Sequence, residues 1–314
     1  MSAPLCFRVE PSEAGRIDKI IAARFPAAPR AEIVRLFRRG SVRVAGAVAA
    51  KGRRARPNEL VELAEAPPTR DDLIPSPEGA PAVTFVYEDD DVLALSKPAG
   101  VPSHPLRAGE NNTAANAVVA RAPVTAGVGR DPREAGLIHR LDTGTSGLLV
   151  AAKHDRAWGA LRRALSTEAA EKTYLAVVRG ELSDRGVADT PLAQRGGVAR
   201  VDPRRGLGAR TEWEILARAG DCALVRCVAR TGRMHQVRAH LAHAGAPIVG
   251  DARYGGAEGR AIGLIDHFLH AQSMRAPHPA PGAPPLDLFA PLPADRQRAL
   301  EALGLPPPPA PARR

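Results

Sequence analysis

The chain has only three cysteines, Cys6, Cys222 and Cys227. They are too few and too awkwardly spaced for a disulfide framework or a zinc site. Cys222 and Cys227 flank Ala-Leu-Val-Arg in an apolar run and read as buried strand residues. No run of about 18 apolar residues occurs, so no helix is expected to span a bilayer. The opening MSAPLCFRVEPSEAG has no apolar stretch long enough for a signal peptide. Internal repeats and coiled-coil segments are also missing, and nothing in the pattern argues for more than a monomer. Together these absences point to a cytoplasmic protein with neither a membrane span nor a metal scaffold.

What the chain does have is positive charge. Its formal net charge is +10 and its pI about 10.3, while 44% apolar and 25% charged residues are ordinary for a globular protein. Such a surplus favours a polyanionic partner, and without a membrane segment the partner of choice is nucleic acid. The charge is uneven, because residues 1–66 hold 13 Lys/Arg against 7 Asp/Glu. This stretch reads as helices near 14–25 and 30–38, a strand at Ser41–Val44, a turn at Ala45–Gly46 and a strand around Glu59–Leu63. Arg35, Arg38, Arg39 and Arg43 cluster on the second helix and the following strand, and the cluster continues into Lys51, Arg53, Arg54 and Arg56. A lone charged run is usually a solvated helix face, but one this long reads as a phosphate-binding surface. The pattern Arg16-Ile17-Asp18-Lys19, Arg30, then Gly40-Ser41-Val42-Arg43-Val44-Ala45-Gly46 resembles the S-four-like RNA-binding module, named for a small-subunit ribosomal protein. That resemblance implies a small α/β module that binds RNA.

Residues 67–82, rich in proline and polar groups, read as a linker, and the texture then changes. Strands are expected at Val83–Tyr87, Val92–Ser96, Gly147–Lys153, Lys172–Arg179, Thr211–Leu216 and Ala223–Ala229, with helices at Asn112–Arg121, His154–Ser166 and Arg233–His243. Strands outnumber helices without alternating regularly, which predicts an α+β fold with a largely antiparallel mixed sheet over 83–302. The Arg- and Gly-rich segment 190–210 reads as a mobile loop, and 303–314, ending PPPPAPARR, as a tail that cannot pack.

The most informative string is HRLDTGTSGLLVAAK at 139–153. Asp142 sits on a glycine-permitted turn at the mouth of an apolar strand, with Arg140 two residues before it. Three readings compete for this carboxylate. It could bond its own turn backbone, the commonest fate of Asp-x-Gly. It could belong to a phosphate cradle, although the Gly-Lys-Ser/Thr ending is absent. It could be a catalytic carboxylate kept ionised by neighbouring cations.

The surrounding strings weigh for the third. HRLD followed by TSGLLV closely resembles the central motif of the RluA family of pseudouridine synthases. Four further blocks are similar to that family's motifs and follow its order: Lys97–Pro105, Glu171–Ala176, RTGRMHQVRAHLAHAGAPIVGDARYGG at 230–256, and Phe268–Ala271 with His278-Pro279. Pseudouridine formation breaks the bond from ribose to the base nitrogen, turns the base and rejoins it through carbon five. There is no redox change and no hydrolysis, so neither a metal nor an organic cofactor is expected. The resemblance implies Asp142 as nucleophile, a carboxylate suited to an anomeric centre. It implies Arg238 as its cation partner, Tyr174 as the aromatic that stacks on the target base, and Arg140 as the group that fills the gap left by the extruded uridine. A phenol with an ordinary pKa near 10 is a poor base at neutral pH, so stacking is the safer role for Tyr174.

Other residues keep simpler readings. His235, His240 and His243 with Asp251 suggest a metal site, but at helical spacing His235 lies roughly 140° from His240. His104 and His139 are expected to hold backbone turns, Gly250-Asp251 and Tyr254-Gly255 to shape a loop, and Trp158 and Trp213 to pack. By analogy within the family, large-subunit ribosomal RNA is the expected substrate and transfer RNA the second choice. A non-catalytic RNA-binding ribosome-assembly factor is the alternative from another class.

Overall fold

The structure is a computed structural model that describes residues 4–256 and 259–309. The chain forms two compact units, 1–74 with 107–109, and 75–106 with 110–314.

In the first unit, β1 (Leu5–Arg8), β6 (Leu60–Leu63), β3 (Val42–Val44) and β4 (Ala47–Val48) form an antiparallel sheet. A second pairing joins β2 (Gly15–Arg16) to β5 (Arg54–Ala55). Two helices, α1 (Ile17–Arg24) and α2 (Arg30–Arg38), supply Ile17, Ile21, Ile33 and Leu36 to a core closed by Val42, Val44, Val61 and Leu63. The helix expected over 14–25 starts only at Ile17, because Gly15 and Arg16 are paired in β2. The linker expected over 67–82 is not featureless. Asp71–Leu73 form a 3-10 turn capped by the bond from Thr69 N to Asp72 Oδ2 (2.8 Å), and Leu73 is buried.

The second unit is built on a nine-stranded sheet. In chain order its strands and helices begin with β7 (Thr84–Glu88), β8 (Val92–Lys97), α3 (Ala114–Arg121), β9 (Ser146–Ala152), α4 (Asp155–Ser166), β10 (Glu171–Arg179) and β11 (Arg185–Asp189). A hairpin outside the main sheet follows, β12 (Leu192–Arg195) and β13 (Val198–Val201). The remainder is β14 (Arg210–Ala219), β15 (Cys222–Ala229), α5 (Gln236–His243), β16 (Leu269–Ala276), β17 (Leu286–Phe289) and α6 (Ala294–Ala302). The strand order is β11-β14-β15-β10-β16-β9-β8-β7, with β17 also paired to β16. Every pair is antiparallel except β9–β16, where Ser146 faces His270 and Gly147 faces Ala271. The α+β class with a largely antiparallel mixed sheet is what the sequence predicted.

Strand β9 is buried on both faces, which accounts for its uninterrupted apolar run. Leu148 and Val150 face Ala157 and Leu161 of α4, while Leu149 and Ala151 face Ala114 and Val118 of α3. Gly147 has φ +113°, and a Cβ there would lie 2.2 Å from Ala271 O, so only glycine lets β9 run against β16 at this point.

Three expectations need correction. Segment 190–210, read as a loop, contains a hairpin over 192–201 that buries Leu192 and Ala199 with Ala239 of α5. The tail expected from 303 packs further than composition suggested. Leu305 is buried with Leu292 and Leu300, whereas 310–314 lie outside the described residues. The helix expected over 233–243 starts at Gln236, because His235 adopts a left-handed backbone (φ +52°) that a helix cannot contain. Cys222 and Cys227 are buried strand residues in β15, as their apolar setting predicted.

Candidate active site

Asp142 lies on the turn that feeds β9, and each backbone carbonyl from Leu141 to Gly144 has a donor. Ser103 Oγ donates to Leu141 O (2.8 Å) and Thr145 N to Asp142 O (3.0 Å). Gly100 N (2.8 Å) and Lys97 Nζ (3.1 Å) donate to Thr143 O, and Arg296 Nη2 of α6 donates to Gly144 O (3.2 Å). Lys97 is wholly buried, and its remaining bonds go to Pro98 O (2.9 Å) and Val101 O (2.7 Å). Three carbonyl acceptors take the three hydrogens of the ammonium form, while burial pulls its pKa down to about 7. The turn is thus fixed by cations arriving from distant parts of the chain.

The side chain of Asp142 meets α5. Arg238 Nη1 donates to Asp142 Oδ2 (2.7 Å), and the rest of the guanidinium forks onto Asp251, Nε to Oδ2 (2.7 Å) and Nη2 to Oδ1 (2.8 Å). Arg238 and Asp251 are almost fully buried. Burial opposes the charge on Arg238, but hydrogen bonds to Asp251 and Asp142 outweigh it and hold the guanidinium protonated. One cation between two carboxylates neutralises Asp251 and leaves Asp142 as the member that faces open space.

That space is a cleft of about 470 Å³ lined by Arg140, Asp142, Lys172, Tyr174, Arg233 and Arg238 among others. Its size suits a single nucleotide-sized group, and its charge suits a phosphate-bearing one. A second cavity of about 780 Å³ shares Arg140, Asp142, His235 and Arg238 with the first. Tyr174 enters from β10 beside a bulge between Thr173 and Tyr174. Burial, and then the nearby Asp142, push its hydroxyl pKa well above the ordinary value, so the ring is a neutral phenol at pH 7.

The stretch 91–243 matches the family model described as RNA pseudouridylate synthase. Over 309 residues the chain is 35% identical to the ribosomal large subunit pseudouridine synthase D of Xanthomonas campestris pv. campestris, which covers 94% of this chain and 91% of that one. It is also 37% identical over 299 residues to an uncharacterized RNA pseudouridine synthase of Chloroflexus aurantiacus, at 92% and 90% coverage.

The chain belongs to the RNA pseudouridylate synthase family. It is therefore an isomerase that converts uridine to pseudouridine in RNA. The solved structure of human RNA pseudouridylate synthase domain containing 4 has the same fold, with a TM-score of 0.57 at 24% identity, over 72% of this synthase and 94% of the human chain.

Asp142, Arg238, Tyr174 and Arg140 all line one cleft of the synthase, and Arg140 lies exposed at its rim. The basic residues of the first unit divide into two groups. Arg35 pairs with Glu32 (2.5 Å), and Arg53 bonds Val44 O (2.5 Å) and Glu59 (3.2 Å), so both are half-buried and committed internally. Arg38, Arg39, Arg43, Lys51, Arg54 and Arg56 are exposed.

The histidines do not converge. His240 is buried between Thr211 Oγ1 (2.9 Å) and Thr190 O (3.0 Å), whereas His235 faces Asp142. His139 Nε2 accepts from Val150 N (3.3 Å), and His104 Nδ1 lies 3.0 Å from Pro105 O. Among the described residues, only Asp89, Asp91 and His278 bring three such groups within metal-ligand range. There His278 Nδ1 accepts from Ala280 N (3.0 Å), which places the ring proton on Nε2, toward Asp89 (2.8 Å), and leaves no lone pair for an ion. Sequence reasoning took Asp251 for a loop residue and missed its pairing with Arg238. The available signal was an arginine on a helix face that had to be buried, which demands a carboxylate partner without saying which one.

Proposed function

We propose that this synthase isomerises uridine in large-subunit ribosomal RNA in the cytoplasm, with Asp142 as its nucleophile. The observation that carries the reading is the Asp142–Arg238–Asp251 arrangement, in which Asp251 takes the fork of the guanidinium and Asp142, bonded through one oxygen to its remaining nitrogen, faces the cleft. The bond from ribose C1′ to N1 breaks and the carboxylate stabilises the electron-poor C1′, covalently or as an ion pair. The base turns, C5 bonds to C1′, C5 loses a proton and N1 gains one. Tyr174, neutral and partly buried, stacks on the base, and Arg140 at the rim enters the helical stack that the uridine has left. The ribosomal substrate is supported by the similarity to the Xanthomonas ribosomal large subunit pseudouridine synthase D. The first unit, read as an S-four-like module, anchors the RNA backbone through Arg38, Arg39, Arg43, Lys51 and Arg54.

The test is a chemical map of pseudouridine across cellular RNA. It compares cells lacking the gene with cells complemented by wild type or by Asp142→Ala. A site in large-subunit ribosomal RNA that is lost on deletion and restored only by wild type is expected. Restoration by Asp142→Ala removes the nucleophile assignment, and a lost site confined to transfer RNA replaces the ribosomal substrate.

A further inference from the structure

Asp142 has two carboxylate oxygens, and only Oδ2 is held by Arg238. Oδ1 is faced by His235 Nε2 at 3.7 Å. The other ring nitrogen, Nδ1, lies 2.9 Å from the Tyr254 hydroxyl, and that hydroxyl accepts the backbone N–H of Ala199 in the hairpin (2.8 Å). Among the described residues the phenol hydrogen then has one acceptor, Nδ1, so the imidazole carries its own hydrogen on Nε2. The opposite end agrees, since an Nε2 lone pair aimed at a carboxylate oxygen would be repulsive. Two further features fix the ring. His235 sits in a left-handed backbone conformation just before α5, and the Tyr254 ring meets it edge-on, with centroids 5.8 Å apart. The ring is therefore held with a defined tautomer against the oxygen that Arg238 leaves free.

We infer that His235, set by Tyr254, is a positioning residue for the isomerisation: its neutral Nε2–H orients Asp142 and leaves Oδ1 as the reacting oxygen. This rests on the reading of Asp142 as nucleophile. The imidazole must stay neutral, because an imidazolium would bind Oδ1 as Arg238 binds Oδ2 and withdraw the carboxylate from the substrate. The charged and titratable groups around it are Asp142, Arg238, Arg253, Asp251 and Tyr254. Burial foremost, with help from Arg238 and Arg253, lowers its pKa below the ordinary value against the opposing pull of Asp142 and Asp251. Activity should thus fall on the acid side as pH drops through the lowered His235 pKa.

The experiment uses the full chain and a ribosomal RNA transcript carrying the mapped uridine, with kcat and KM measured across pH. Nitrogen-15 spectra of labelled histidine are recorded on the same proteins, with the His235 signals assigned by their loss in His235→Gln. His235→Ala should lower kcat by about 10²-fold through misplacement of Asp142, with KM within a few-fold. His235→Gln keeps a neutral N–H donor that cannot titrate, so it should recover most of kcat and lose the acid limb. In Tyr254→Phe the spectrum should change from a single Nε2–H form to a mixture of tautomers, whatever the activity. An Nδ1–H form in the wild type overturns the inference, as does an unchanged acid limb in His235→Gln. If Asp142→Ala is inactive while His235→Ala matches wild type, the inference alone fails; if Asp142→Ala is active, the nucleophile reading fails first.

Discussion

The two units use the same residue type in opposite ways. In the first, Arg38, Arg39, Arg43 and Arg54 stand exposed on a small sheet and two short helices, where each acts as a screened charge. In the second, Arg238 and Arg296 are buried and aimed at particular oxygens: Arg238 bonds Asp142 and Asp251, whereas Arg296 sends Nη2 to Gly144 O and His267 O and Nη1 to Asp295. An exposed arginine contributes through how many there are. A buried one contributes through where its fork points, and its neighbours are lost with it.

The largest expected effect follows from that fork. Arg238→Lys keeps the charge but cannot bond Asp142 and Asp251 in their present geometry, and kcat should fall by at least about 10²-fold in single-turnover assays. A loss below about threefold would mean that charge alone suffices and would erase the contrast. Asp251→Asn leaves the buried guanidinium short of a counter-charge, and should lower stability by about 3 kcal/mol in denaturant titrations. An unchanged midpoint would show that Asp142 alone can neutralise the cation. The triple substitution of Arg38, Arg39 and Arg54 by Ala should leave kcat unchanged and weaken RNA binding. It should also flatten the slope of log K against log salt by about 2 to 3, read from binding isotherms at several salt concentrations. A fall in kcat with the salt slope intact would reverse the roles of the two units.

The smallest effect concerns acid stability. Burial raises the Asp89 pKa, but hydrogen bonds from Tyr87 and His278 and from the backbone of Asp91 and Val92 outweigh it and hold the group at about 2. Its folded-state pKa lies below its unfolded one, so its contribution is complete above about 4 and is lost as pH falls toward 2. Asp89→Asn should therefore reduce the slope of stability against pH in that window and nowhere else, as read by circular dichroism during acid titration.

Much of this site was legible, but by two different routes. Strands β8, β9, β10 and β15 announced themselves by apolar β-branched runs, and α4 by its amphipathic period. The residues around the cleft came from motif strings. Physics alone left Asp142 between a turn carboxylate and a catalytic one, because the cation that decides the matter lies 96 residues away. Asp251 and His235 were visible as residues but not as partners, since a left-handed backbone at a histidine leaves no mark in the sequence. The hairpin at 192–201 was hidden by composition. Its arginines and glycines suggest a loop, and its apolar residues, Leu192, Ala193, Val198, Ala199 and Val201, are too few and too unevenly spaced to announce strands. Helix α6 and its Arg296 strut also went unread, because the strut's acceptors are backbone carbonyls far along the chain.

The position of β16 has a consequence for how the protein is made. This strand comes from near the end of the chain yet lies in the middle of the sheet, between β10 and β9. During synthesis the ribosome must deliver about 270 residues before the two halves of the sheet can close on each other, and longer again before Arg296 arrives to hold the Asp142 turn. Contacts so distant in sequence form slowly and last. The nascent chain therefore carries a complete first unit long before it carries a finished cleft, and a product interrupted before β16 would have the Asp142 turn without the strand and the arginine that hold it.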